Sequence, residues 1–287
     1  MQCPRKCVWF RLGKRAVSEM IIAFVFVTCL WFFSTGAILW LNRLDRETHP
    51  ASLLGISVLC GPAVCGVIVS ASESSASAAY LAFVSTLIIW GWHEMSFLMG
   101  FVAGPRRVAC PEGARGWDRF RLATATLIHH EIALAATCLL LFAMTWGQPN
   151  QVAAQTFALL FAMRLCSKFN IFLGVANTGA EMMPDHLDYL KSYFRTRAMN
   201  PLFPFTLIGS SALAVMLGNA AFVAPAGSGE ATGYLLLLVL AMLGVIENCI
   251  LMVPLRSSAM WAWAKPRAAQ LNEPRLALTG AANPTER

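Results

Sequence analysis

Apolar residues run almost without interruption through 20–42, 51–71, 76–101, 120–146, 151–175, 204–222 and 231–255. Each run is about the twenty residues that an α-helix, rising 1.5 Å per residue, needs to cross a hydrocarbon core of about 30 Å. The pattern therefore predicts an all-α, polytopic membrane helix bundle of about seven transmembrane helices. Two connections are richer than simple links. The stretch 102–119 holds Gly104, Pro105, Pro111, Gly113 and Gly116 among four arginines, which predicts an ordered loop lying against lipid headgroups. In 177–203, Pro184 and Asp185 suit a helix's first turn, and Leu187, Leu190 and Phe194 recur at helical spacing, predicting a short amphipathic helix that anchors at the interface.

Charge sets the orientation. The connections 72–75, 147–150 and 223–230 contain no Lys or Arg. The opposite set carries fifteen: Arg43 and Arg46; Arg106, Arg107, Arg115, Arg119 and Arg121; Lys191, Arg195 and Arg197; and Arg256, Lys265, Arg267, Arg275 and Arg287. The positive-inside rule then puts the C-terminus in the cytoplasm and, with seven spans, the N-terminus outside. That orientation conflicts with Arg5, Lys6, Arg11, Lys14 and Arg15. A start of translation at Met20, where the apolar run begins, resolves the conflict; a genuine extension forming an interfacial segment is the alternative. The expected organisation is a basic extension at 1–19, a seven-helix transmembrane domain at 20–263 and a disordered cytoplasmic tail at 264–287.

Composition narrows the classes further. With 57% hydrophobic and 13% charged residues, against about 25% charged in a soluble domain, the bilayer is the solvent. The first apolar block outruns a secretory h-region and reads as a retained anchor. A net charge of +7 and a pI near 9.1 match loops facing anionic membrane lipids, with Arg106, Arg107, Arg115 and Trp117 as loop contacts, and no nucleic acid is expected. Of nine cysteines, Cys29, Cys60, Cys65, Cys138, Cys166 and Cys249 fall inside apolar runs and read as small core residues. Trp31, Trp40, Trp90, Trp92, Trp146, Trp261 and Trp263 fall mostly near span ends, as an interfacial belt requires.

The exceptions to the apolar pattern are the candidate site. His93 and Glu94 lie in the third span, His129, His130 and Glu131 in the fourth, Arg164, Lys168 and Asn170 in the fifth, and Glu247 and Asn248 in the seventh. A charge near the bilayer centre costs about 2.5–3.5 kcal/mol on insertion scales, so these groups are expected to face inward and one another. Counting from the cytoplasmic ends places them at one depth, some seven to nine residues in. Arg164 and Lys168, four apart, share a helix face and present two cations to three carboxylates. The residue types fit a structural ion-pair network, an imidazole ligand set for a transition metal or a tetrapyrrole, or a proton relay. No catalytic residue and no established metal site follow from them.

Several longer motifs carry a resemblance. Trp31 to Gly36, Trp90-Gly91-Trp92-His93-Glu94-Met95-Ser96-Phe97, the loop from Gly104-Pro105-Arg106-Arg107 to Gly116-Trp117, Trp146-Gly147-Gln148-Pro149-Asn150-Gln151 and Asn200-Pro201-Leu202-Phe203-Pro204 resemble the PuhE family of photosynthetic complex assembly proteins from anoxygenic phototrophic bacteria. The resemblance spans about residues 20–263. It implies an inner-membrane assembly factor for reaction-centre and light-harvesting complexes, whose subunits would be its partners, and a role with bacteriochlorophyll or a magnesium-tetrapyrrole precursor. In that case His93, His129 or His130 would offer an axial nitrogen, and Arg164 or Lys168 would meet a ligand carboxyl or carbonyl. The competing expectation is a membrane-embedded, metal-dependent enzyme acting on a pigment-biosynthesis intermediate. The family supplies no catalytic residue.

Overall fold

The computed structural model describes residues 4–253, with side chains from residue 17 onward. Its long elements are α1 (Pro4–Asn42), α2 (His49–Ala71), α3 (Ala76–Leu98), α4 (Gly116–Thr124), α5 (Ile128–Thr145), α6 (Val152–Leu173), α7 (Phe203–Val223) and α8 (Gly229–Met252). Among the described residues there is no strand, only an isolated bridge between Val175 and Thr196. Seven stretches, all but α4, are long and apolar enough to cross a membrane, so the chain is a polytopic helix bundle. Helix α1 is continuous from Pro4, so the basic residues ahead of Met20 share a helix with the first apolar run. The expected tail at 264–287 and the indoles of Trp261 and Trp263 lie outside the described residues.

Small residues set the packing, as in bundles where lipid supplies no hydrophobic drive between helices. α3 is the central rod: Ala78, Ala79, Ala82 and Phe83 are buried on it, and it packs against α1, α2, α6 and α8. A Cβ on Gly66 of α2 would come within 2.4 Å of Ser85 Oγ, and one on Gly233 of α8 within 2.5 Å of Val152 Cγ2. Ser75 and Ser228 cap α3 and α8 by accepting from Ala78 N at 3.2 Å and Ala231 N at 3.1 Å. At the end that holds the connections 72–75, 147–150 and 223–230, buried Asn150 donates to Ser70 O at 3.0 Å and accepts from Val152 N at 3.0 Å, tying α2 to α6. Trp90 belongs to this core rather than to an interfacial belt: it is buried and its ring meets Phe157 edge-on at 5.2 Å.

Two expectations are corrected at the basic end. The fourth apolar run is not one helix, because the chain breaks at 125–127 between α4 and α5. The break is made by tertiary pairing: Gly104 N donates to Thr126 O at 2.8 Å and Arg106 N to Ala125 O at 3.1 Å, which takes those carbonyls out of any continuing helix. Only glycine fits at 104, since a Cβ would stand 2.0 Å from Ala125 O. The amphipathic segment is a 3-10 helix, Asp185–Tyr193, and its buried Leu187, Leu190 and Tyr193 repeat every three residues as that geometry requires. Its apolar face is turned into the protein, for Leu187 and Leu190 pack on Phe97 and Ala103 with Leu98, Leu127 and Phe194 around them. Loop and segment thus form a protein-packed cap. Arg119 locks it, buried, donating to Phe172 O at 3.2 Å and to Tyr193 O, with its guanidinium 4.2 Å over the Phe172 ring.

Candidate functional site: a buried ion-pair cluster at the basic end

Helix ends position the charges. Glu94 comes about one turn before α3 stops at Leu98, Glu131 lies in the first turn of α5, and Glu247 stands less than two turns before α8 stops at Met252. Arg164 and Lys168, one turn apart on α6, reach into the space between them. Arg164 Nη2 lies 3.5 Å from Glu94 Oε2 and its Nη1 3.5 Å from Glu247 Oε1. Lys168 Nζ lies 2.5 Å from Glu131 Oε1. Four helices therefore contribute to one cluster. It sits closer to the helix ends than the expected seven to nine residues, because α3 and α8 stop earlier than their apolar runs and α5 starts later. The cluster has loose ends: Glu94 Oε1 and Glu131 Oε2 are buried without a hydrogen-bond partner.

The three histidines do not converge. His93 Nε2 pairs with Thr137 Oγ1 at 2.9 Å, and the ring is held edge-on against Trp92 at 5.0 Å and Phe157 at 5.9 Å. His130 has 0% exposure and faces Phe97 at 4.6 Å, with neither ring nitrogen hydrogen-bonded. His129, the next residue back on the same turn, is exposed and points away from the bundle. A single imidazole ligand set is therefore not what these residues make, and among the described residues no three His, Cys, Asp or Glu side chains come together to hold a metal ion. The two remaining histidines lie together at the cap: His49 is buried, its Nε2 3.2 Å from Leu44 O, with its ring 6.2 Å from that of half-buried His186.

The buried amides divide. Asn170 Nδ2 donates to Cys166 O at 3.1 Å and Thr206 Oγ1 at 3.0 Å. Asn200 Nδ2 donates to Asn170 Oδ1 at 3.1 Å and Gly174 O at 2.9 Å, while its Oδ1 accepts from Leu202 N and Phe203 N. Asn170 is thus a joint between α6 and α7. Asn248 donates to Gly244 O at 3.1 Å within α8, leaving buried Oδ1 unpaired. Sequence reasoning missed Asn200 as an internal residue, although its place before Pro201 marks it as a capping amide. It also counted Arg119 as one more loop cation. Burial separates Arg119 from its neighbours.

Of the loop contacts, Arg106 is committed to the cap, its Nε donating to Tyr193 Oη at 2.8 Å and its Nη2 to Ala109 O at 3.1 Å. Arg107, Arg115 and Trp117 face outward. Trp117, 70% exposed, stacks on Phe120 at 5.0 Å, and Phe120 stacks in turn on Phe169 at 6.3 Å.

Comparison with known proteins adds two findings. Residues 17–272 match a family described as "Protein of unknown function (DUF3623)". The chain is also 37% identical over 243 residues, covering 83% of this chain and 88% of the relative, to a Rhodobacter capsulatus protein described as "Uncharacterized 30.4 kDa protein in puhA 5'region". No solved structure matches.

Proposed function

The chain belongs to the DUF3623 family, and on that footing we propose that it is a cytoplasmic-membrane assembly factor for photosynthetic reaction-centre and light-harvesting complexes. The observation that carries this reading is the relative named for the puhA 5' region of a phototrophic bacterium, together with the sequence motifs that resemble the PuhE assembly proteins. Its C-terminus and basic cap face the cytoplasm in this reading, as the arginine distribution requires. Arg107, Arg115 and Trp117, exposed on that side, meet anionic headgroups or partner subunits.

The fit to a magnesium tetrapyrrole is partial. His129 would be the imidazole to hold the magnesium of bacteriochlorophyll from the outer face, since His130 has no exposed surface and buried His93 has its Nε2 engaged by Thr137. Arg164 and Lys168 are already paired with carboxylates, so a pigment carboxyl would have to displace one of them.

The test is complementation. Rhodobacter capsulatus lacking the relative is supplied with this chain, and the near-infrared bands of its reaction-centre and light-harvesting complexes are measured in membranes. Lowered complexes in the deletion, restored by the chain, support the reading. Unchanged complexes in the deletion overturn it. A His129→Ala variant that restores the complexes as well as the parent chain would remove pigment ligation at that residue.

A further inference from the structure

Of the eight α-helices described, α4 alone is not a span, and its sequence gives it two unlike faces. Arg119 is buried and donates to Phe172 O at the end of α6 and to Tyr193 O in the cap, which fixes the helix against the bundle. Trp117 and Arg121 stand two residues to either side of Arg119 and four from each other, so they share the opposite face. Both are exposed, Trp117 to 70%, and so is Arg115 at the N-cap.

A run of rings gives this face its depth in the membrane. Trp117 stacks on Phe120 at 5.0 Å, and Phe120 on Phe169 at 6.3 Å with 12° between the planes. Phe169 belongs to a span: it is 37% exposed on α6, four residues before that helix stops at Leu173. Four residues are about 6 Å of helix. The stack therefore leads from an exposed ring just inside the end of a span to Trp117, and α4 lies where hydrocarbon gives way to headgroups. Indoles favour that level, since the ring is apolar and its N–H polar.

Charge selects among headgroups. Residues 105–121 hold five arginines against Glu112 and Asp118, and five minus two leaves three positive charges. Arg106 and Arg119 are spent inside the cap. Among the described residues no carboxylate forms an ion pair with Arg115 or Arg121.

We infer that the outer face of α4 binds an anionic phospholipid, its phosphate held by Arg115 and Arg121 and the Trp117 indole set among the glycerol and upper acyl carbons. A guanidinium donates two parallel hydrogen bonds to a phosphate. A zwitterionic headgroup brings its own ammonium toward the same arginines, so a lipid of net negative charge is preferred. This narrows the headgroup-or-subunit contact of the proposed function to lipid and does not depend on the assembly role: complementation can fail with the lipid preference intact.

The test places the full chain, labelled with 5-fluorotryptophan, in nanodiscs of phosphatidylcholine alone or mixed with phosphatidylglycerol. The Trp117 fluorine signal is the one lost in Trp117→Phe. A spin label carried near the glycerol end of the lipid acyl chain should broaden that signal, and native mass spectrometry of the chain released from mixed discs should show phosphatidylglycerol retained over phosphatidylcholine. Arg115→Gln combined with Arg121→Gln should lower this preference by about tenfold or more, and inorganic phosphate should not displace the retained lipid. An unbroadened Trp117 signal leaves the face to a protein partner and overturns the inference, as does an unchanged preference in the double variant. Displacement by inorganic phosphate overturns a lipid as the ligand. Should the double variant not fold, the spin-label result and the parent chain's choice between the two lipids decide.

Discussion

Replacing Lys168 by Met removes the one ion-pair partner that Glu131 has among the described residues. Two lysine pairs of equal length make the comparison informative, since Lys168–Glu131 and Lys191–Asp188 both stand at 2.5 Å. Their surroundings differ: side-chain exposures are 20% and 12% for the first pair and 36% and 64% for the second. An exposed helical pair contributes about 0.3–0.5 kcal/mol. Breaking a buried pair by deleting one partner costs about 3–5 kcal/mol, because the remaining charge stays desolvated. Lys168 keeps some exposure, which places Lys168→Met near the lower figure, roughly 3 kcal/mol or about 100-fold in the unfolding equilibrium. Lys191→Met should cost under about 0.5 kcal/mol. The assay is unfolding of the purified protein in mixed micelles with increasing sodium dodecyl sulfate, read for each single variant and for Lys168→Met with Glu131→Gln. The double variant should recover at least about half of the loss, since neutral glutamine no longer needs the ammonium. Equal costs for Lys168→Met and Lys191→Met, or no recovery in the double variant, would refute the claim that burial governs these pairs.

Three further outcomes follow from the cap. Arg119→Ala deletes two carbonyl contacts and the guanidinium over Phe172; we expect a loss of about 2–3 kcal/mol and faster hydrogen exchange across 185–194, and unchanged exchange there would contradict the lock. Gly104→Ala forces a Cβ toward Ala125 O and should expel the loop from the break, costing about 2 kcal/mol or more, detectable as new protease cleavage within 102–115. His186 is held below its ordinary value chiefly by burial, with Arg46 and His49 acting in the same direction and the Leu98 backbone and Asp185 opposing. A histidine depressed in the folded state contributes stability above the unfolded value of about 6.5 and loses it as pH falls from there. The cap should therefore loosen as pH falls below about 6.5, and His186→Asn should flatten that pH dependence of hydrogen exchange.

Seven spans were legible because twenty consecutive apolar residues are a local property that needs no partner to be recognised. The gathering of Glu94, Glu131, Arg164, Lys168 and Glu247 was also legible, since charge in lipid must find charge. What the sequence hid depended on contacts from elsewhere in the chain. Thr124 to Leu127 reads as helix by composition, and only the amides of Gly104 and Arg106 break it. His130 turns inward and His129 outward, as neighbours about 100° apart on a helix can, and a count of depth alone does not reveal which. Likewise Leu187 and Leu190 fit a 3.6-residue or a 3.0-residue period equally well, and the packing on Phe97 and Ala103 selects the shorter one.

The break between α4 and α5 is a choice between two sets of hydrogen-bond partners. The carbonyls of Ala125 and Thr126 accept from the loop, but the same residues contain no proline or glycine to forbid a helix running straight from Gly116 to Thr145. Such a rod would be about 45 Å long, against a hydrocarbon core of about 30 Å. Glu131 sits one turn beyond the junction, held to Lys168. The loop at 104–106 and the charge cluster thus share one short stretch of chain: the amides of Gly104 and Arg106 fix the junction, and the first turn of α5 that follows it carries Glu131 to Lys168.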